Sequence, residues 1–275
     1  MNRQPYPSDL SDKEWEILKP LIPPAKTGGR PRLCNLREVL NAVFYVLRSG
    51  CAWRLLPHDF PPWQTVYHYF RSWCLQDAWE AIQTKLREQV RLKLNREASP
   101  SGGIVDSQPV KTTEQGGVRG YDGGKKVKGR KRHLLVDTEG FVLKVKVEPA
   151  NVSDREGAML LLAGLKQSFP RLKHLWVDSA YRGTFVKWVK DTLGWTIEVV
   201  QRPSAGHRGV WTPPGVEPPV GKTGFQVQPR RWVVERTFGW LGRHRRLSKD
   251  YEYLPQSAEA FIYTAMIRLL LQRLV

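Results

Sequence analysis

The sequence predicts an α+β protein in which a helical module, residues 1–98, precedes an α/β core with a mixed sheet, residues 99–275. Two observations carry this reading. Apolar residues recur at helical spacing through the first hundred positions, and past Ser99 the pattern changes to short β-rich runs alternating with helices. With 275 residues, 41% hydrophobic and eleven Trp, the chain can build a substantial core. Arg268 and Arg273 interrupt the longest apolar run, so a membrane span is not expected. The opening MNRQPYPSDL lacks an apolar signal core, and the three cysteines form no CxxC pair. Both point to a cytoplasmic protein with reduced thiols and no zinc site.

In the module, Ser11 and Glu14 make a capping box, with Leu10 and Trp15 placed as a hydrophobic staple. A helix over about 12–21 follows, stopped by Pro23 and Pro24. Asn35 and Glu38 repeat the cap signal, and Leu36, Val39, Leu40, Val43, Phe44 and Leu47 continue at helical spacing to Gly50. After Pro61 and Pro62, Trp63, Val66, Tyr67, Phe70 and Trp73 form an apolar stripe. That stripe leaves Gln64, Thr65, His68 and Arg71 together on the other face. A fourth helix covers about 77–94. Such an arrangement fits a helix-turn-helix whose third helix reads the major groove, or alternatively a helical bundle used for dimerisation. Between the first two helices, Gly29-Arg30-Pro31-Arg32 is either a minor-groove arm or a basic linker.

The core begins with a strand at Ile104-Val105-Asp106. Strands His133–Val136 and Phe141–Val147 follow, separated by the Asp137-Thr138-Glu139-Gly140 turn. Ser153 caps a helix, His174–Val177 is a fourth strand ending at Asp178, a helix covers about 184–193, and Thr196–Val200 is a fifth strand. Residues 202–229 hold six Pro and five Gly, which reads as a long functional or mobile loop. Helices resume past Pro229 and over about 256–273. This order is that of a ribonuclease-H-like core. The reading makes residues 99–275 the cutting unit and residues 1–96 the selective one.

The formal charge is +18, and it is concentrated. Residues 111–132 hold eight basic against two acidic side chains, and residues 201–249 hold ten against two. A merely solvated face mixes signs, so nucleic acid is the leading partner. Lys125, Lys126, Lys128, Arg130, Lys131 and Arg132 in the first segment, with Arg231, Arg236, Arg243, Arg245 and Arg246 in the second, are the expected phosphate contacts.

Asp106 and Asp178 each end the apolar run of a strand, and Glu235 follows on a helix among Val233, Val234 and Phe238. Three carboxylates aimed at one point repel unless cations hold them. Two divalent ions there would clamp the attacking and leaving oxygens of a phosphodiester. Mg²⁺ suits oxygen ligands, with Mn²⁺ expected to substitute. Arg231, one helical turn before Glu235, either orients that carboxylate, takes a phosphate oxygen, or makes a plain surface pair. Ser107 and Tyr181 stand beside the acids, but neither has a base nearby in the sequence, so no covalent protein–DNA link is expected.

The stretches VDSQPVKTTEQGGVRGYDGGKKVKGRKRHLLVDTEGF (105–141), EPANVSDREGA (148–158), VDSAYRG (177–183) and RRWVVERTFGWL (230–241) resemble bacterial insertion-sequence transposases of the Asp-Asp-Glu type, insertion-sequence family five. Trp53-Arg54, Leu56-Pro57, Phe60-Pro61-Pro62-Trp63 and Val66-Tyr67 are similar to the module that precedes the core in that family. The resemblance implies metal-dependent cutting at element ends and joining of the freed 3′-hydroxyl to target DNA, with Asp106, Asp178 and Glu235 as the triad. It also implies binding of terminal inverted repeats by a homodimer. Arg231 matches the arginine of the signature helix. Where that signature has a Tyr upstream and a Lys downstream, this chain has Gln228 and Gly242, with Arg243 adjacent. A structure-selective nuclease on the same fold, and a DNA-binding protein without turnover, are the alternatives.

Overall fold

The capping signals set the first helices. In the computed structural model, which describes residues 3–25, 28, 33–115, 117–200 and 230–275, Ser11 Oγ accepts from the Glu14 amide and Glu14 returns the bond to Ser11 N–H at 2.8 Å. This starts α1 (Asp12–Leu18), which tightens into a 3₁₀ turn at Lys19–Leu21. The Asn35 side chain accepts from the Arg37 and Glu38 amides to open α2 (Leu36–Ser49), and Gly50 closes it at φ 74°, the left-handed conformation that suits glycine. Next come α3 (Trp63–Leu75) and α4 (Ala78–Lys93). The segment 29–32, the loop 202–229 and Gln228 lie outside the described residues.

The core holds β1 (Gly102–Lys111), β2 (Gly120–Asp122), β3 (Val127–Asp137) and β4 (Val142–Pro149), then α5 (Asp154–Leu162), α6 (Leu165–Ser168) and β5 (His174–Val177). It ends with α7 (Thr184–Trp188), β6 (Thr196–Val199), α8 (Trp232–Gly242) and α9 (Pro255–Leu274). β3 pairs antiparallel with β1 on one side, and with the short β2 and then β4 on the other. β5 lies parallel to β1, and β6 parallel to β5. With β2 set aside as an added hairpin arm, the five long strands run third, second, first, fourth, fifth, the second alone reversed. That is the ribonuclease-H-like order.

β1 and β3 are longer than the apolar pattern indicates. β3 starts at Val127, so the basic run Arg130-Lys131-Arg132 is strand, not surface loop, and all three residues are buried. Arg130 pairs with Asp250 at 3.1 Å and donates to the Val118, Glu252 and Tyr253 carbonyls. Arg132 donates to the carbonyls of Leu247 and Lys249, and burial lowers its pKa to about 10 despite the nearby Asp250. Lys131 sits between Asp122 and Asp154, 3.1 Å from each. The expectation that these three contact phosphates is therefore corrected. A buried cation must find its partners inside the fold, and each of these has done so.

The helical module does not stand apart from the sheet. One hydrophobic cluster joins Val39, Phe44, Leu86 and Val90 of the module to Val136, Val142 and Phe261 of the core. The helices also close the outer edge of β4, where the Val142 carbonyl accepts from Gln83 (2.8 Å) and Arg87 (3.1 Å) of α4. From α9, Glu259 accepts from the Val147 amide at 2.9 Å and Tyr263 from the Val145 amide at 3.3 Å. Open strand edges invite pairing with other chains, and this one is covered. Arg91 of α4 forms a buried ion pair with Asp137 at the end of β3.

Candidate active site

The parallel register of β1 and β5 sets Ile104 beside Trp176. Side chains alternate with period two, so two residues further along Asp106 of β1 and Asp178, the extended residue that directly follows β5, come level on one face. That face is the one α8 covers: Ile104 packs in the cluster of Val234 and Phe238, with Trp176 against it. Val105, Leu175 and Val177 point the other way, into a second cluster under α5 and α7. Burial and then the like charge of Asp178 raise the Asp106 carboxyl to about 6, against the Ser107 amide hydrogen bond and the positive charges of Arg231 and Lys125. Asp178 is fixed in turn as the cap of a 3₁₀ turn, accepting from the Ala180 amide at 2.8 Å.

Glu235 extends from α8, and its carboxylate accepts from Arg231 Nη2 at 2.5 Å with 53% of the side chain exposed. Among the described residues, no three His, Cys, Asp or Glu side chains converge closely enough to hold a metal ion. The acids expected at one point are a level pair plus a third held by Arg231. The donor chemistry still fits a hard divalent cation. Two half-buried carboxylates share a face, one carries a raised pKa, and the positive charges near them are Arg231 and Lys125.

Behind Asp106 lies a polar cluster that sequence reasoning missed. Ser107 Oγ donates to Asp154 at 2.8 Å, and Lys131 bonds the same carboxylate. Burial pushes the Asp154 carboxyl up, but the bonds from Ser107 and Lys131 and the charges of Lys125 and Lys131 outweigh it and hold it below its ordinary value. Asp154 is thus the acid beside Ser107 that the sequence did not reveal, though with its pKa lowered it is a poor base. His133 and Tyr181 are buried on the same side. The His133 ring lies against Gly157, where a Cβ would come within 2.2 Å of it. Burial, followed by the charges of Asp106, Asp154 and Asp178, raises the Tyr181 hydroxyl well above its usual range. The pairing of Ser107 with His133 across β1 and β3, and the packing of α5 that brings Asp154 to Ser107, assemble this cluster, and local sequence carries no sign of either.

The remaining expected contacts divide by exposure. Lys125 and Lys126 in the β2–β3 turn and Lys128 beside it are exposed, with Lys125 close enough to lower the Asp106 pKa. Arg243 and Arg245 are exposed past the end of α8. Arg236 is half-buried between the Trp232 and Trp240 rings, 4.5 and 4.7 Å from their centres, and donates to the Glu139 carbonyl. Arg246 is buried and pairs with Glu252 at 2.6 Å. These last two serve the fold, which corrects their expected phosphate role. On α3, Gln64, Thr65 and His68 line an open groove of about 740 Å³, while Arg71 is half-buried outside it.

Two family models match the chain. One described as "Putative transposase of IS4/5 family" covers residues 10–83, and one described as "Transposase DDE domain" covers residues 97–270. The "Uncharacterized protein y4sN" of Sinorhizobium fredii (strain NBRC 101917 / NGR234) is 27% identical over 117 residues, 42% of this chain and 87% of that protein. The "Insertion element IS402 uncharacterized 16.2 kDa protein" of Burkholderia cepacia is 29% identical over 106 residues, 34% of this chain and 71% of that protein. Among solved structures, a Mos1 transposase paired-end complex with left transposon end matches 64% of this chain and 61% of its own at 12% identity and a TM-score of 0.25. The Mos1 strand transfer complex matches 64% and 60% at 14% identity and a TM-score of 0.21. The chain thus spans about 60% of the length of those structures. With TM-scores this low, the fold assignment rests on the sheet order and the family match.

Proposed function

Starting from the premise that this chain belongs to the family of transposases with the Asp-Asp-Glu catalytic domain, we propose that it cuts DNA at the ends of an insertion sequence and joins the 3′-hydroxyl to target DNA. The observation that carries this reading is the level pair Asp106 and Asp178 on neighbouring parallel strands, under a helix that presents Arg231 and Glu235. Asp106, Asp178 and Glu235 are the residues that would hold divalent cations, two Mg²⁺ ions with Mn²⁺ as a substitute. When bound, such cations supply Lewis acidity, activating the attacking oxygen and stabilising the leaving one.

The side chains divide the remaining work. Arg231 balances the charge of both Asp106 and Glu235. Lys125, Lys126 and Lys128 lie on the solvent side of that site and hold phosphates in register with it. Gln64, Thr65, His68 and Arg71 read bases of the terminal inverted repeat. Tyr181 is not a nucleophile, because its hydroxyl is buried behind the sheet. The chain works as a homodimer that holds two ends, in the cytoplasm; among the described residues no helix is long and apolar enough to cross a membrane.

The test is a strand-transfer assay with a precut end duplex and a supercoiled plasmid. The wild type yields joined product with Mg²⁺ or Mn²⁺. Asp106→Asn, Asp178→Asn and Glu235→Gln each abolish it while the protein still folds and binds DNA, and a double variant is little worse than a single one. Cutting without joining would make the protein a nuclease. Near wild-type product from any single variant would remove that residue from the site.

A further inference from the structure

Where the N-terminal segment meets the ends of α2, α8 and α9 lies a cavity of about 310 Å³. Among the described residues its wall carries Arg48, Arg243 and Arg268 and no carboxylate side chain. Two polar atoms in the wall, Ser8 Oγ and His244 Nδ1, have no hydrogen-bond partner, and Ser8 is only 8% exposed. Phe44, Leu47 and Trp240 form the apolar remainder. Glu235, the acid of α8, is not among the residues that line the cavity.

We propose that this cavity is a phosphate-binding site in which Arg48 and Arg243 clamp the anion and Ser8 and His244 donate to it. Three arginines line the cavity, and among the described residues only Arg268 has a carboxylate partner, Glu14, which is not part of the lining. Arg48 donates to the main-chain carbonyl of Arg243 at 2.9 Å, which holds the Arg48 guanidinium against the end of α8, and Arg243 lines the same cavity. Arg268 is steadied from behind by Glu14 of α1 at 2.8 Å and by the Asp9 carbonyl at 3.0 Å, and its guanidinium lies 5.6 Å from the centre of the Phe44 ring. Like charges around one cavity favour an anion between them, and planar guanidinium groups match phosphate oxygens. Burial and the charges of Arg48, Arg268 and Arg243 also lower the His244 imidazole to about 4.

The phosphate comes from a DNA backbone or from the free anion, and either source would tie the N-terminal module to the end of the catalytic helix. The inference stands apart from the catalytic reading, because neither a divalent cation nor a strand end is needed to test it. The experiment follows the ring resonances of the six histidines in the full chain at about pH 6, as inorganic phosphate replaces chloride at constant ionic strength. A bound anion raises the pKa of a neighbouring imidazole by about 1 to 3 units, so His244 gains a proton and moves while the other five stay. Arg48→Gln and Arg243→Gln each weaken the phosphate affinity about tenfold or more. Ser8→Ala weakens it less and leaves the fold intact.

A short duplex that produces the same His244 shift, or displaces phosphate, identifies the source as DNA. A shift with phosphate alone identifies the free anion, and both results support the site. The proposal is overturned if His244 moves no more than the other histidines with either probe, or if folded Arg48→Gln and Arg243→Gln chains keep the wild-type affinity.

Discussion

Lys125, Lys126 and Lys128 differ from Arg130, Lys131 and Arg132 by a few positions in one basic run, yet the first group is exposed and the second is buried. The turn between β2 and β3 lifts Lys125 and Lys126 into solvent, Lys125 near Asp106, and Lys128 at the start of β3 stays exposed, while the strand carries the next three under a lid made by residues 247–253 and α5. Net charge alone therefore misjudges a basic segment. What decides is burial: Lys125 lies 4.0 Å from Asp154 yet stays exposed, whereas the three buried cations are held by several carboxylate and carbonyl oxygens.

The comparison breaks most readily at Arg130. Arg130→Met leaves Asp250 buried without its partner and strips hydrogen bonds from three carbonyls, so urea unfolding should show a loss of about 3 to 5 kcal/mol. A loss below about 1 kcal/mol would mean that the strand tolerates the change as a surface would, and the division drawn here would fail.

Lys131 gives an intermediate effect that depends on pH. Both of its carboxylate partners, Asp122 and Asp154, have pKa values held below the ordinary one. Each contributes stability that is present above the unfolded value of about 3.9 and is lost as pH falls through the lower folded value. Asp154→Asn should cost about 1.5 to 3 kcal/mol at neutral pH, and the gap to wild type should narrow below about pH 4. A gap that stays constant through the acid range would show that the carboxylate charge is not what stabilises the cluster.

The exposed lysines should affect stability least. Replacing Lys125, Lys126 and Lys128 together with Gln should change unfolding free energy by no more than about 0.5 kcal/mol. DNA binding should weaken for all sequences alike, with the salt dependence flattened by about 0.9 per lost phosphate contact. Loss confined to one DNA sequence would show that these residues read bases.

Much of the fold was legible because its signals are local. Ser11 with Glu14, Asn35 with Glu38, and Gly50 cap helices through bonds between near neighbours. The apolar stripe of α3 and the run His174–Val177 likewise carry their own periodicity. Illegible were features made by pairing between distant segments. Arg130 looked like a surface residue because its partner is 120 positions away, and Asp154 looked like a simple helix start because Ser107, which donates to it, is 47 positions away. For the same reason the boundary at residues 98 and 99 marks a change of pattern but no gap in packing. Arg91 on one side of it meets Asp137 on the other, so a chain cut to residues 97–275 would leave that acid buried and unpaired. In the site, the two aspartates were visible as acids ending apolar runs, and the ion pair of Arg231 with Glu235 as an i,i+4 spacing on one helix.

The central claim is that Asp106 and Asp178, set level by the parallel pairing of β1 and β5, form one cation-holding pair. Mn²⁺ binding to the full chain, followed by calorimetry without DNA, tests it most directly. The account predicts saturable binding by the wild type, weakened at least about tenfold in both Asp106→Asn and Asp178→Asn. Equal Mn²⁺ affinity in the wild type and both folded variants would contradict it.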